Sequence, residues 1–148
     1  MFMKTILHLI VCVLFAVVAV SCVSPAPATS GSRAVTTADD SAIVRAFERH
    51  ASGVQVTGGG TVTRVLSDDV YKPRHQRFIV RLASGRTVLV AHNIDIAPRV
   101  EGLGEGDVVR FNGEYEWNEE GGVIHWTHRD PQGRHDAGWV EHNGKMFQ

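Results

Sequence analysis

Hydrophobic and polar positions form two different patterns along this chain. Residues 6–20 are an almost unbroken apolar run, interrupted only by His8. Beyond residue 60, apolar and polar residues alternate, as they do along strands whose two faces meet different surroundings. In residues 76–82, for example, the apolar positions Phe78, Val80 and Leu82 share one face. The pattern predicts an N-terminal apolar segment followed by a β-rich domain.

The alternating part predicts one helix and then five strands. A helix capped by Asp39 or Asp40 carries apolar residues on one side. The glycine run 58–60 is predicted to end the helical region, because glycine is a strong breaker of regular structure. The strands are predicted at residues 61–66, 75–82, 86–92, 107–117 and 123–128.

A five-stranded Greek-key barrel of the OB type has this order of elements: three strands, a connector on which a short helix can sit, and two further strands. The fold is therefore predicted as mainly β, an OB-like barrel with one N-terminal helix. A plain antiparallel sandwich is the alternative. Five apolar side chains are expected to point into the barrel: Phe78, Val80, Val109, Phe111 and Tyr115.

The N-terminal segment is typical of a secretory signal peptide over residues 1–21, too short and wrongly flanked to be a membrane-spanning helix. The sequence Ala19-Val20-Ser21-Cys22 resembles a bacterial lipobox, which predicts lipidation of Cys22 and attachment to a membrane. Residues 22–38 are a small polar tether, and residues 39–148 a single barrel domain. The expected location is the periplasmic face of the outer membrane, with ordinary cleavage and release into the periplasm as the alternative.

Charge and cysteine content narrow the chemistry. The net charge is −1, so no bulk attraction to polyanions is expected. The only cysteines are Cys12 and Cys22, so the domain has no disulfide and no thiolate metal site.

A row of cations lies around the predicted second strand, with no acid among them, and Arg77 and Arg81 share its outward face. OB barrels bind ligands on this part of the sheet, which predicts an anionic or oligomeric ligand. The alternative is that the arginines pair with the acidic face of strand four. Trp126 is a candidate stacking platform for bases or sugar rings, or else a packing anchor. The candidate ligand-binding residues are Arg74, His75, Arg77, Arg81, His92 and Trp126.

Four of the eight histidines lie in residues 125–142, and imidazole suits both metal ligation and proton transfer. His125 and His128 are the candidate catalytic residues. His128, Asp130 and His135 form a candidate site for a divalent metal such as zinc. In an extended strand His125 and His128 point to opposite faces, unless the strand ends or bulges between them. Structural histidines bonded to backbone or Asp are the alternative.

Several sequence segments are similar to those of a bacterial family of unknown function, domain of unknown function 3465. They include His75-Gln-Arg-Phe-Ile-Val-Arg81, residues 90–98 and 113–118, and Ile124-His-Trp-Thr-His128 with residues 130–135. The resemblance covers residues 55–148. The resemblance implies membership of this family, but it implies no activity or mechanism.

Two functions follow from these residues. One is a non-catalytic envelope module that binds an anionic or oligomeric ligand. The other is a metal-dependent hydrolase, of the phosphodiesterase or nuclease type, in which a bound ion activates water and a histidine of the C-terminal cluster moves protons.

Overall fold

The computed structural model describes residues 39–148. The predicted signal peptide, Cys22 and the tether lie outside these residues. Within them, no helix is both long and apolar enough to cross a membrane. The elements are α1 (Ser41–Glu48), β1 (Val54–Val65), β2 (His75–Leu82), β3 (Thr87–Asn93), β4 (Val108–Glu116), β5 (Val123–His125), β6 (Trp139–His142) and β7 (Lys145–Phe147).

The first five strands close into a barrel in the order β1-β2-β3-β5-β4, with β4 returning to pair with β1. The β3–β5 contact is parallel and the other pairings in the barrel are antiparallel. This confirms the predicted five-stranded OB-like barrel with one short helix. Closure of the barrel pairs backbone N–H and C=O groups that the edge strands of an open sheet would leave unpaired.

Strand β1 begins earlier than predicted and contains the glycine run. The prediction that Gly58, Gly59 and Gly60 end the helical region is wrong. They are the residues at which β1 pairs closely with its neighbours, and a Cβ on Gly60 would lie 2.0 Å from the carbonyl oxygen of Arg81. A side chain has no room there, so glycine allows one long strand to pair with both β2 and β4.

The barrel interior contains the residues that alternation predicted. Phe78, Val80, Phe111 and Tyr115 are fully buried and Val109 nearly so. Burial of these large side chains is the main favourable term for a domain of this size.

Gln76 adds a polar brace within this interior. Its amide donates to the carbonyl of Val100 at 3.0 Å and accepts from the Val100 N–H at 2.8 Å. These paired bonds fix the β3–β4 connector against the barrel, and they satisfy the buried amide.

Helix α1 packs Ile43 and Ala46 against the barrel. Asp39, rather than Asp40, accepts a hydrogen bond from the first turn, from the Ser41 N–H at 3.0 Å. Asp40 instead accepts from the Ser84 N–H of the β2–β3 turn. The predicted helix is confirmed.

Two elements near the C-terminus differ from the prediction. Strand β5 stops at His125, three residues early, because Trp126 turns the chain with a φ of 52°. Strands β6 and β7 form an unpredicted hairpin that extends the sheet beside β4 and buries Val140 and Phe147.

Candidate functional site

A cleft of about 280 Å³ lies on the outer face of the barrel. Four of its polar side chains come from β2, β3, β4 and β5. On each strand the residue next to the cleft position is buried in the barrel, so alternation turns the cleft residue outward; these buried neighbours are Gln76, His92, Tyr115 and Ile124. The residues that line it are Pro73, His75, Asn93, Glu116, His125, Trp126 and His128. The cleft therefore combines imidazole, amide and carboxylate groups with one indole.

Trp126 shapes this cleft through its backbone. Its φ of 52° is in the left-handed region, which is costly for a residue with a bulky side chain. The turn there brings both His125 and His128 to the cleft, which an unbroken strand would not do. Trp126 is 40% exposed, and its ring also packs against His135, with centroids 4.5 Å apart.

His75 is held by a carboxylate. Its Nδ1 lies 2.8 Å from Asp69 Oδ2, and the other oxygen of Asp69 lies 3.1 Å from Arg77 Nε. The guanidinium of Arg77 also donates to the carbonyl of Ser67. Asp69 thus orients the imidazole and neutralises the neighbouring arginine.

Two further arginines of the predicted cationic row, Arg74 and Arg81, have different surroundings. Arg74 pairs with Asp95 at 2.7 Å, and the Arg74 N–H and guanidinium lower the pKa of Asp95. Arg81 lies exposed further along β2. The alternative interpretation predicted that the arginines pair with the acidic face of β4. Arg74 and Arg77 instead pair with the loop carboxylates of Asp95 and Asp69. Ligand binding by the arginines stays a prediction.

His92 lies behind the cleft and not in it. It is fully buried; its Nε2 donates to the carbonyl of Pro98 at 3.0 Å, and its Nδ1 accepts from the Thr127 hydroxyl at 2.9 Å. Burial lowers the pKa of His92, which keeps the ring neutral. Its prediction as a ligand-contacting residue is corrected: it braces the segment that carries Trp126.

His125 lines the cleft as a partly buried imidazole. Burial lowers its pKa, and the nearby Glu116 carboxylate opposes that effect only in part. A neutral ring in a cleft can accept a hydrogen bond or a proton. The structure brings His125 to the same cleft as His75 and His128, and a catalytic role for His125 and His128 stays a prediction.

The loop after Trp126 brings together the three predicted metal ligands. The rings of His128 and His135 have centroids 5.0 Å apart, and His135 Nε2 lies 4.0 Å from Asp130 Oδ2. The Nε2 atoms of both histidines are buried, and no described residue provides either of them with a hydrogen-bond partner.

Asp130 is already engaged by its own loop. Its carboxylate accepts the N–H groups of Gln132 and Arg134 and the Arg134 guanidinium. Burial raises its pKa, but these hydrogen bonds outweigh burial and hold the pKa at about 2. Within residues 39–148, no three His, Cys, Asp or Glu side chains are arranged to hold a metal ion. Metal binding by His128, Asp130 and His135 stays a prediction.

Sequence reasoning missed two of the residues that line the cleft, Asn93 and Glu116. Strand alternation carried a signal for Glu116, which lies on the outward face of β4 together with Glu114.

A sequence model of the family "Protein of unknown function (DUF3465)" matches residues 27–148. Comparison with curated proteins found no match. Comparison with solved structures found none either.

Proposed function

We propose that this chain, which belongs to the DUF3465 family of proteins of unknown function, is a binding module of the bacterial envelope for a hydroxyl-rich, ring-containing oligomer. The oligomer would lie in the cleft beside Trp126. The observation that carries the proposal is the exposed indole, held in an unfavourable backbone conformation among convergent polar groups. Strain of this kind is concentrated at functional sites.

The composition of the cleft favours sugar rings. An indole face provides a flat apolar surface for a ring, and its neighbours provide hydrogen bonds. Glu116 accepts, and Asn93 donates through its amide N–H groups, since its Oδ1 already accepts from the Asp95 N–H. The Nδ1 of His75 donates to Asp69, so its Nε2 accepts, whereas His125 does either according to tautomer. Hydroxyl groups, which both donate and accept, match this mixture.

Charge favours an oligomer of this kind over a polyanion. Arg74 and Arg77 are paired with Asp95 and Asp69, which cancels much of their attraction for phosphate. Glu116 also places a carboxylate in the cleft, where it would repel a densely charged chain.

The N-terminal sequence supports the location in the envelope. A cleaved signal peptide and a lipidated Cys22 would anchor the domain to a membrane, with the periplasmic face of the outer membrane as its site. Mass spectrometry of the membrane fraction should find a diacylated or triacylated Cys22 at the N-terminus. Release of the protein by Cys22→Ser supports the anchor, whereas an unprocessed protein with Met1 retained excludes it.

Calorimetry with the full chain tests the ligand class, with N-acetylglucosamine oligomers as the probe and a short oligothymidine as the comparison. The sugar oligomer should bind, and Trp126→Ala should weaken its affinity at least tenfold. Trp117→Phe is the matched control, because Trp117 packs beside α1 against Phe47 and His50. Stronger binding of the oligonucleotide, with a steep salt dependence, would identify a polyanion binder instead.

A hydrolase is the second candidate, and the Asp69–His75 pair favours it. A carboxylate that orients an imidazole toward a cleft is the arrangement of a general base. His125, whose pKa is lowered by burial, is a further neutral base in the same cleft. Turnover of a phosphodiester substrate that is lost in His75→Gln, His125→Gln and His128→Ala would establish this activity. Binding without turnover supports the module.

A further inference from the structure

We infer that His128 and His135 form a two-imidazole binding site for a transition-metal ion of the Cu²⁺, Ni²⁺ or Zn²⁺ type, a role distinct from sugar binding although His128 also lines the cleft. The Nε2 atoms of both rings are buried, and within residues 39–148 neither has a hydrogen-bond partner. The ring centroids lie 5.0 Å apart, with the ring planes nearly perpendicular at 88°.

Backbone carbonyls determine which nitrogen of each ring carries the proton. His128 Nδ1 lies 2.7 Å from the carbonyl oxygen of Arg129, and His135 Nδ1 lies 2.7 Å from that of Asp136. A carbonyl oxygen only accepts, so each Nδ1 is the donor. In each neutral ring Nε2 therefore presents a lone pair.

This arrangement is the one that metal-binding histidines adopt. Such a histidine donates its free ring N–H to a backbone carbonyl or a carboxylate, which fixes the ring and makes the coordinating nitrogen more basic. Here both rings have that support without a metal. Two carbonyl-oriented imidazoles in one short loop thus supply half of a tetrahedral coordination set.

The surroundings favour a positive charge between these rings. Asp130 is almost fully buried, and its Oδ2 lies 4.0 Å from His135 Nε2. A carboxylate that faces a nitrogen lone pair repels it, and an unpartnered buried nitrogen costs free energy. A cation bound by the two Nε2 atoms removes both costs.

Asp130 acts here as a nearby charge and not as a ligand. Both of its oxygens already accept N–H groups of Gln132 and Arg134. This agrees with the finding that, in the described part of the chain, no three potential ligands converge. Water would fill the remaining coordination positions. Imidazole ligands of this kind suit copper, nickel and zinc, and Cu²⁺ should bind most tightly of the three.

Titration of the untagged full chain with CuCl₂, NiCl₂ and ZnCl₂, followed by calorimetry, tests this inference. One Cu²⁺ per chain should bind with a micromolar or lower dissociation constant. His128→Gln and His135→Gln should each weaken binding at least tenfold. His50→Gln is the matched control, because His50 is exposed and stacks on Trp117 near α1, and it should leave the affinity unchanged.

Electron paramagnetic resonance of the Cu²⁺-loaded native chain keeps the inference testable even if a variant fails to fold. Superhyperfine coupling to two imidazole nitrogens, together with loss of the His128 and His135 ring signals from NMR spectra, supports it. Cu²⁺ binding weaker than micromolar, or ring signals lost from other histidines, overturns it. Protonation of one ring without metal binding overturns it too. Sugar binding is measured without metal, so the two proposals fail independently.

Discussion

The left-handed conformation of Trp126 makes a prediction about two substitutions at one position. Trp126→Ala and Trp126→Gly both remove the indole, so lost packing against His135 is the same in each. The two variants then differ only in their backbone preference at a φ of 52°.

The magnitude follows from two opposing terms. A left-handed conformation costs a residue with a Cβ about 1–2 kcal/mol, and glycine avoids that cost. Glycine loses more conformational freedom on folding, which costs about 0.5–1 kcal/mol relative to alanine. Trp126→Gly should therefore be more stable than Trp126→Ala by up to about 1.5 kcal/mol, with a central value of ~0.75 kcal/mol, the reverse of the usual order.

Urea denaturation followed by circular dichroism measures the difference in unfolding free energy between the two variants. The comparison requires equal m-values, the slopes of unfolding free energy against urea concentration. Arg81→Ala and Arg81→Gly are the control pair, because Arg81 is exposed in the extended strand β2. There alanine should be the more stable variant. If alanine is also the more stable at Trp126, the backbone at the mouth of the cleft is not strained and the argument from strain fails.

Three further predictions concern the barrel and its pH dependence. Gly60→Ala should destabilise the fold by at least about 1–3 kcal/mol, because its Cβ would lie 2.0 Å from the Arg81 carbonyl oxygen. Phe111→Ala, at a fully buried position, should cost about 3–5 kcal/mol. Stability should fall as the pH drops below about 6.5, because unfolded histidine takes up protons there while His92, whose folded pKa is lowered by burial, does not. The loss should be complete below the folded pKa, and His92→Gln should reduce it.

Unfolding midpoints decide all three. Gly104→Ala is the control for Gly60, since an added Cβ there meets only Asp107 Oδ2, at 3.8 Å, and it should be nearly neutral. An equally mild Gly60→Ala would contradict close pairing at the glycine run. Val108→Ala, at an exposed position of β4, is the control for Phe111. A stability profile with no slope between pH 7 and 5 would contradict the buried neutral state of His92.

The strands were predictable because their alternation has a single cause. One face of each barrel strand meets the interior, so Phe78 and Val80, and likewise Val109 and Phe111, recur at a period of two. The glycine run misled prediction for a related reason. Glycine breaks most structure locally, but here it meets a tertiary requirement, close approach of β1 to two neighbours, that no local pattern reveals.

The candidate site was predictable in its residue types but not in its geometry. His75, His125 and His128 were identified as chemical groups, and the fold brings them to one cleft. Alternation in β3 places His92 on the inward face with Val88 and Val90, so its burial was readable from the sequence. The turn at Trp126 was not readable, because tryptophan has no preference for a left-handed backbone.

The most direct test of the proposed function is an NMR titration of the full chain with an N-acetylglucosamine oligomer. The account predicts saturable shifts, with a dissociation constant below about 1 mM, at the indole N–H of Trp126 and the rings of His75 and His125. Shifts that map instead to the exposed Arg81 region of β2, or no shifts at millimolar sugar, would contradict it.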